Sequence, residues 1–384
     1  MGIVSLDIFL VIFASEVKRE EKMEEKTNVK RYAYIDLIKT IAIIMVIILH
    51  SGLLKTDFIM LKSGRSMIQF AVRIISEGVP LFVMVNGFLI LHKDKFELKK
   101  HLKKILKIFI LLILWSIIYV IIETILMKGK LSIGLVWKNV LTTDINNKYT
   151  GILWFLQNLI MLYLIYPILK YLYDNNKQLY NYLFIIIIIS TVGINFVDMI
   201  IDIVIKISNF QQLNLLTSYI KKFNILSNSQ FLMFFMFGGY LYEKKDRFTE
   251  NNIKIKYIII GLISWMLSFI YAYAMSKVNN KTYSNSFNYG SIFMIFIMTG
   301  IFAITNFYID KGYFYNKTIT SISKNSLGIY LIHKIIIDII NVHLSIFNTT
   351  FMLRLTKIAL VLIISWWITL LLNKIPKIKE LVKL

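Results

Sequence analysis

The 384-residue sequence is rich in apolar side chains: 57% of its residues are apolar or aromatic and 17% are charged. Ordinary soluble domains carry about 25% charged residues, so this composition indicates lipid as the main solvent. The absence of cysteine excludes disulfides, thiolate metal sites and a cysteine nucleophile. The formal net charge is +22, but the Lys and Arg residues lie in short stretches between apolar runs. That distribution argues against nucleic acid as a partner.

Ten apolar runs meet or approach the length of about 20 residues that a membrane-spanning helix needs. We predict spans near 37–54, 67–91, 105–127, 152–173, 179–197, 229–242, 255–275, 290–309, 322–342 and 351–372. The sixth run is short. The sequence therefore predicts an all-α integral membrane protein, a bundle of about ten transmembrane helices in the lipid bilayer.

The basic residues predict how this bundle is oriented. Lys and Arg are concentrated before the first span, in alternate loops and in the tail 376–384. Because cytoplasmic loops carry an excess of Lys and Arg, both termini are predicted in the cytoplasm. Residues 198–228 are predicted to form an outer loop with an amphipathic stretch. The apolar run in residues 1–15 is too short to span, so we predict Met23 as the initiator and no function for residues 1–22.

Four separated stretches resemble one known family. They are, in chain order, RYAYIDLIKTIAIIMVIILHSG (31–52), VPLFVMVNGFLI (79–90), LWFLQNLIMLYLIYPILKYL (153–172) and SLGIYLIH (326–333). Their order and spacing resemble the acyltransferase-3 family of membrane proteins, which O-acylate bacterial surface polysaccharides and related acceptors. Asn86 stands where the family usually has Ser. The resemblance predicts an acyltransferase-3-like membrane domain over 31–375, after a cytoplasmic segment 1–30, in the form without an added soluble esterase-like domain.

The resemblance implies a membrane O-acyltransferase of the bacterial cytoplasmic membrane, most of all an O-acetyltransferase. Its donor substrate would be cytoplasmic acetyl-CoA or another acyl-CoA, and its acceptor a hydroxyl of a cell-surface glycan or of a lipid-linked precursor. No permanently bound cofactor and no metal are predicted. The acceptor, the acyl chain and the oligomeric state are left open by the sequence.

The first span contains three candidate catalytic residues: Asp36, Lys39 and His50. On an ideal helix, Lys39 and His50 share a face, because eleven steps end about 20° from three full turns, with a rise of about 16 Å. Lys39 would attract the donor's phosphates while Asp36, one turn earlier, holds it in place. His50 would deprotonate the acceptor or take the acyl group itself. The alternative is a snorkelling lysine and an interfacial histidine.

The second span contains Arg73 and Glu77, which are four residues apart and can pair. Arg73 would orient the acyl carbonyl or the acceptor near His50. The alternative is a structural ion pair that holds helices together.

A basic helical face follows the second span and includes Lys103 and Lys104. It would lie against anionic lipid, or it would recruit the nucleotide end of CoA. His92 and His101 in the same stretch are predicted to be solvated loop residues.

Two later spans add candidate site residues. Trp154, Gln157 and Asn158 are predicted to form a wall of the acceptor site, although amides also bind helices together and Trp is common at interfaces. In the ninth span, Tyr330 is a candidate substrate-binding residue and His333 a second candidate catalytic histidine. The alternative for His333 is a buried structural residue.

Two other functions compete with acyl transfer. A glycan flippase or export transporter also places ionisable residues inside a large helical bundle. It would be expected to show internal repeats and paired broken helices, which the sequence does not show. A polysaccharide polymerase would be expected to have a large periplasmic loop, whereas the predicted outer loop 198–228 is modest.

Overall fold

The computed structural model describes residues 32–54, 64–93, 96–142, 146–222, 229–280, 289–310, 317–376 and 378–383. Within these residues the chain forms helices and turns and no strand. The helices are α1 (Ala33–His50), α2 (Gly64–Ile75), α3 (Val79–Ile90), α4 (Leu98–Leu126), α5 (Ile133–Leu141), α6 (Trp154–Asn175), α7 (Lys177–Ile188), α8 (Ile194–Ser208), α9 (Leu213–Lys221), α10 (Gln230–Glu243), α11 (Asn251–Asn279), α12 (Ile292–Asp310), α13 (Lys317–Lys324), α14 (Ser326–His343) and α15 (Phe351–Lys374). The predicted initiator Met23 lies outside the described residues.

The described residues contain nine helical stretches that are long and apolar enough to cross a membrane. They correspond to the predicted spans one to five and seven to ten, so the predicted fold class, an all-α multi-pass membrane bundle, is confirmed. The sixth predicted span is α10, which has only 14 residues. At 1.5 Å per residue it is about 21 Å long, shorter than a hydrocarbon core of about 30 Å.

The short helix α10 packs closely against α3 through two glycines. A Cβ atom on Gly238 would lie 2.0 Å from the carbonyl oxygen of Met84, and one on Gly87 would lie 1.8 Å from that of Phe235. Both distances are far inside van der Waals contact, so only glycine allows the two backbones to approach this closely. The contact buries α10 within the bundle.

The first helix and the end of the chain lie at the same end of the bundle. Lys39 near the start of α1 and Lys383 in the tail line one cavity. Ten crossings, with α10 as the sixth, would place both on one side of the membrane, as the sequence predicts. That this side is the cytoplasm stays a prediction.

Two predicted spans are irregular. The second is broken into α2 and α3 around Glu77, and Pro80 lies in the first turn of α3. The fifth contains a π-helical segment at Ile189–Gly193 and then continues as α8. The predicted outer loop 198–228 is therefore wrong over 198–208, where a run of Ile and Val extends the helix. Its amphipathic stretch corresponds to the short, exposed helix α9.

Helix α1 lies at the centre of the bundle and packs against α3, α12, α13, α14 and α15. About half of its residues are buried, and Ile38, Ala42, Ile43 and Ile47 are fully buried. Among its ionisable residues, Asp36 is buried, whereas Lys39 and His50 are half-buried. Such groups are costly in an apolar bundle unless they have a function or a partner.

Candidate active site

Two histidines meet at the centre of the site. His50 is the last residue of α1, and its ring centroid lies 5.5 Å from that of His333 on α14. His333 is fully buried, and its Nδ1 lies 2.5 Å from the carbonyl oxygen of Tyr330. Because a carbonyl oxygen only accepts, Nδ1 carries the proton and Nε2 has the lone pair. Nε2 is buried and has no hydrogen-bond partner among the described residues.

A cavity of about 520 Å³, called the outer cavity after the predicted orientation of the bundle, opens beside this pair. It brings together five of the sequence-predicted site residues: His50, Arg73, Glu77, Trp154 and Tyr330. These residues come from four separate helical segments and the break between α2 and α3. The cavity combines an imidazole and a carboxylate, which can transfer protons, with a guanidinium, which can stabilise an oxyanion.

The break between α2 and α3 exposes Glu77 to the cavity. Its carboxylate lies 3.8 Å from the guanidinium of Arg73 and accepts a hydrogen bond from the Tyr289 hydroxyl. The Tyr289 ring in turn stacks near Trp154, with centroids 6.3 Å apart. Tyr289 was not predicted from the sequence, because one more tyrosine before an apolar run carries no signal in a chain with 22 of them.

A second ionic group lines the same cavity. Lys334 on α14 pairs with Asp338 one turn later, and Glu123 of α4 lies close enough to the Asp338 carboxyl to interact with it electrostatically. Glu123 and Lys334 both line the outer cavity. Glu123 was missed from the sequence because it lies near the end of an apolar span, where a lone carboxylate looks interfacial.

His50 also borders a second, smaller cavity. This cavity of about 320 Å³ is lined by His50, Asn341, Asn348 and Arg354. Arg354 donates to the backbone carbonyl of Asn348 at 2.8 and 2.9 Å. The imidazole of His50 therefore borders two openings toward the same end of the bundle.

An inner cavity of about 440 Å³ lies toward the other end of the bundle. Its charged lining residues are all lysines: Lys39, Lys104, Lys324 and Lys383. No carboxylate lines it among the residues that the structure describes. Such a concentration of cations attracts an anion.

Tyr330 separates the inner and outer cavities and lines both. Its hydroxyl donates to the carbonyl of Ile152, and its ring lies edge-on to Phe155 with centroids 5.3 Å apart. Its own carbonyl accepts from His333. Tyr330 thus borders the inner cavity, the outer cavity and the buried imidazole of His333.

Some predicted site residues lie away from the cavities. Asp36 is buried and accepts a hydrogen bond of 2.6 Å from the Ser323 hydroxyl, so it joins α1 to α13. Lys103 is exposed on the outside of α4, whereas its neighbour Lys104 lines the inner cavity. The basic face is divided because successive residues on a helix point about 100° apart.

The amides of α6 do not line the outer cavity, although Trp154 does. The Asn158 side chain donates to the Trp154 carbonyl at 3.0 Å, within its own helix. The prediction that His101 is a solvated loop residue is wrong. It is buried, and its Nε2 lies 2.7 Å from the Tyr163 carbonyl, because α4 starts earlier than the hydropathy pattern indicates.

His92 also differs from the prediction. Its ring stacks in parallel on Tyr242 with centroids 3.4 Å apart, and burial is the main cause that lowers its pKa. Packing between the ends of α3 and α10 produces this contact. No group of three potential metal ligands was found in the described part of the chain.

The helices and the cavities define a multi-pass membrane protein with an ionisable site between two openings. Residues 32–370 match the acyltransferase-3 family model, which is described as an acyltransferase domain. The match covers nearly the whole chain, and the protein therefore belongs to the acyltransferase-3 family of enzymes. No curated protein and no solved structure gives a significant match. Family membership confirms the resemblance of the four stretches and favours an enzyme over a transporter or a polymerase.

Proposed function

We propose that this acyltransferase moves an acyl group, in particular acetyl, from cytoplasmic acyl-CoA to a hydroxyl of a cell-surface glycan or its lipid-linked precursor. The observation that carries this proposal is the meeting of two cavities at Tyr330, one lined by lysines and the other containing His50. An anionic donor and a hydroxylic acceptor can approach such a site from opposite ends. The membrane would be the bacterial cytoplasmic membrane.

The inner cavity suits the donor. Its four lysines offer charge-assisted hydrogen bonds to the phosphates of CoA. The rise from Lys39 to His50 is about 16 Å along α1, which is comparable to an extended pantetheine arm. The arm would pass Tyr330 and bring its thioester to the histidine pair. Basic loops at this end favour the cytoplasm, where acyl-CoA is made.

The outer cavity suits the chemistry. His50 removes the proton of the acceptor hydroxyl, and the hydroxyl oxygen forms a bond to the thioester carbon. The carbon–sulfur bond then breaks, and the imidazolium returns the proton to the leaving thiolate. Arg73 lines the same cavity and donates to the carbonyl oxygen as negative charge develops on it.

The direct test is transfer of labelled acetyl from acetyl-CoA to the cell-surface glycan by purified protein. His50→Ala should lower the rate by about 10²- to 10⁴-fold, the usual contribution of a general base. The matched control is His343→Ala, because His343 is exposed at the end of α14 and should be dispensable. Wild-type rates in the His50→Ala protein would remove His50 from the mechanism and promote His333.

The same preparation separates the two possible roles of His50. A general base leaves the protein unlabelled when the acceptor is omitted, whereas a nucleophile retains an acyl-imidazole. Label that stays on wild-type protein and is lost in His50→Ala would replace the base by a nucleophile.

The orientation is tested by topology reporters. Reporters after residue 384 and within 243–256 should read as cytoplasmic, and one within 276–289 as external. An external reading at the C-terminus would place the inner cavity on the side of the membrane that cytoplasmic acyl-CoA cannot reach.

A further inference from the structure

The end of the chain folds back under the bundle. Helix α15 ends at Lys374, and a short 3₁₀ turn follows at Lys379–Leu381. The indole N–H of Trp115 donates to the Leu381 carbonyl at 2.8 Å, and Lys107 pairs with Glu380. Two contacts from α4 thus fix the tail against the bundle.

The fixed tail reaches the inner cavity. Val382 is 1% exposed and packs against the backbone of α14, where a Cβ on Gly328 would lie 3.1 Å from the Val382 Cβ. Val382 and Lys383 both line the cavity, and Lys383 is exposed at its edge. A segment that looks like a simple basic tail in the sequence therefore contributes an apolar wall and a cation.

We propose that Val382 and Lys383, held in place by residues 378–381, form one wall of the donor site and that Lys383 binds a donor phosphate at the entrance of the inner cavity. This rests on the proposed use of acyl-CoA. Trp115 and Glu380 act as positioning residues, because they hold the tail and do not line the cavity themselves. The phosphate could equally belong to an anionic lipid headgroup, and the two sources predict different results.

The donor experiment compares acetyl-CoA with acetyl-pantetheine, which carries no phosphate. Lys383→Ala should raise the KM for acetyl-CoA about two- to fivefold, the range of one exposed charge pair, and leave kcat unchanged. The KM for acetyl-pantetheine should not change. The matched control is Lys379→Ala, since Lys379 is exposed in the same turn and does not line the cavity.

The lipid arm repeats these measurements in nanodiscs of phosphatidylcholine and of phosphatidylglycerol. If Lys383 binds the donor, the effect of Lys383→Ala persists in phosphatidylcholine. If the effect appears only in phosphatidylglycerol, Lys383 binds a headgroup and the donor assignment is overturned. Equal KM changes for both donors, or none for either, overturn it as well.

A second measurement needs no donor. Because the chain has no cysteine, a single Val382→Cys gives one thiol for a water-soluble reagent. Val382→Cys should react far more slowly than Lys379→Cys, and adding Trp115→Phe should speed its reaction by releasing the tail. Equal labelling rates for Lys379→Cys and Val382→Cys would show that Val382 is not part of a cavity wall, even if acetyl transfer proceeds normally. Slow labelling of Val382→Cys without any transfer from acetyl-CoA would support the position of the tail in the cavity wall. It would reject acyl-CoA as the donor and phosphate binding by Lys383.

Discussion

His333 donates its Nδ1 proton to the Tyr330 carbonyl and lies with its ring centroid 5.5 Å from that of His50. The hydrogen bond fixes the tautomer that has its proton on Nδ1, so the buried Nε2 has the lone pair. We expect His333 to act on His50 and not on substrate, because it does not line the outer cavity and its Nε2 is an acceptor without a partner among the described residues.

Replacing His333 tests this positioning role. His333→Ala should lower kcat strongly, whereas His333→Gln should recover part of the loss, because the glutamine carbonyl can offer an acceptor near the Nε2 position. KM for acetyl-CoA should change little, because the inner cavity does not include His333. Equal losses of kcat in Ala and Gln variants that remain folded would show that His333 serves packing alone.

Lys103 and Lys104 provide a matched pair on one helix. Lys104 lines the inner cavity and lies 4.9 Å from the Tyr163 ring centroid, whereas Lys103 is exposed. Lys104→Ala should raise KM for acetyl-CoA severalfold, because it removes a cation from a partly desolvated phosphate site. Lys103→Ala should match wild type. Similar effects of both substitutions would indicate that the basic face acts through anionic lipid.

Replacing Gly238 tests the packing of α10, the shortest of the predicted spans, and Gly134 provides the control. Gly238→Ala places a Cβ 2.0 Å from the Met84 carbonyl oxygen, whereas nothing lies within 4 Å of a Cβ at Gly134. Overpacking costs about 1–3 kcal/mol in a core, so Gly238→Ala should lower the Tm in detergent. Gly134→Ala should leave it unchanged or slightly higher, since alanine favours a helix over glycine. An unchanged Tm for Gly238→Ala would show that α10 is not fixed by this contact.

The Lys107–Glu380 pair makes the docking of the tail depend on pH in a defined direction. The hydrogen bond from Lys107 lowers the pKa of Glu380 below its ordinary value of 4.5. A carboxyl with a lowered pKa stabilises the docked tail fully at a pH above its ordinary pKa. This stabilisation is lost as the pH falls through the lowered pKa. Hydrogen exchange in residues 378–383, corrected for intrinsic rates, should show constant protection from about pH 6 to 8.

Glu380→Gln is the companion variant for this measurement. It should reduce protection in the tail across the same pH range, because the charge is absent throughout. Loss of protection in the wild-type tail between pH 6 and 8 would mean that another titrating group holds it.

The sequence by itself predicted the all-α membrane bundle, nine of its spanning helices and the family. Runs of about 20 apolar residues report burial in lipid directly, because a spanning helix satisfies its own backbone. The common face of Lys39 and His50 follows from helical periodicity alone. These properties are local along the chain, so a pattern of residues is enough to predict them.

Only the tertiary structure decided which residues meet. The approach of His333 to His50, the position of Tyr330 between two cavities and the return of Lys383 to the bundle depend on packing between distant segments. The separation of Lys104 from Lys103 depends on which face of α4 meets α6. In an apolar bundle every helix surface looks alike in sequence, because lipid and protein interior are equally apolar. Close backbone contacts such as that at Gly238, and not hydropathy, choose the neighbours and thereby form the site.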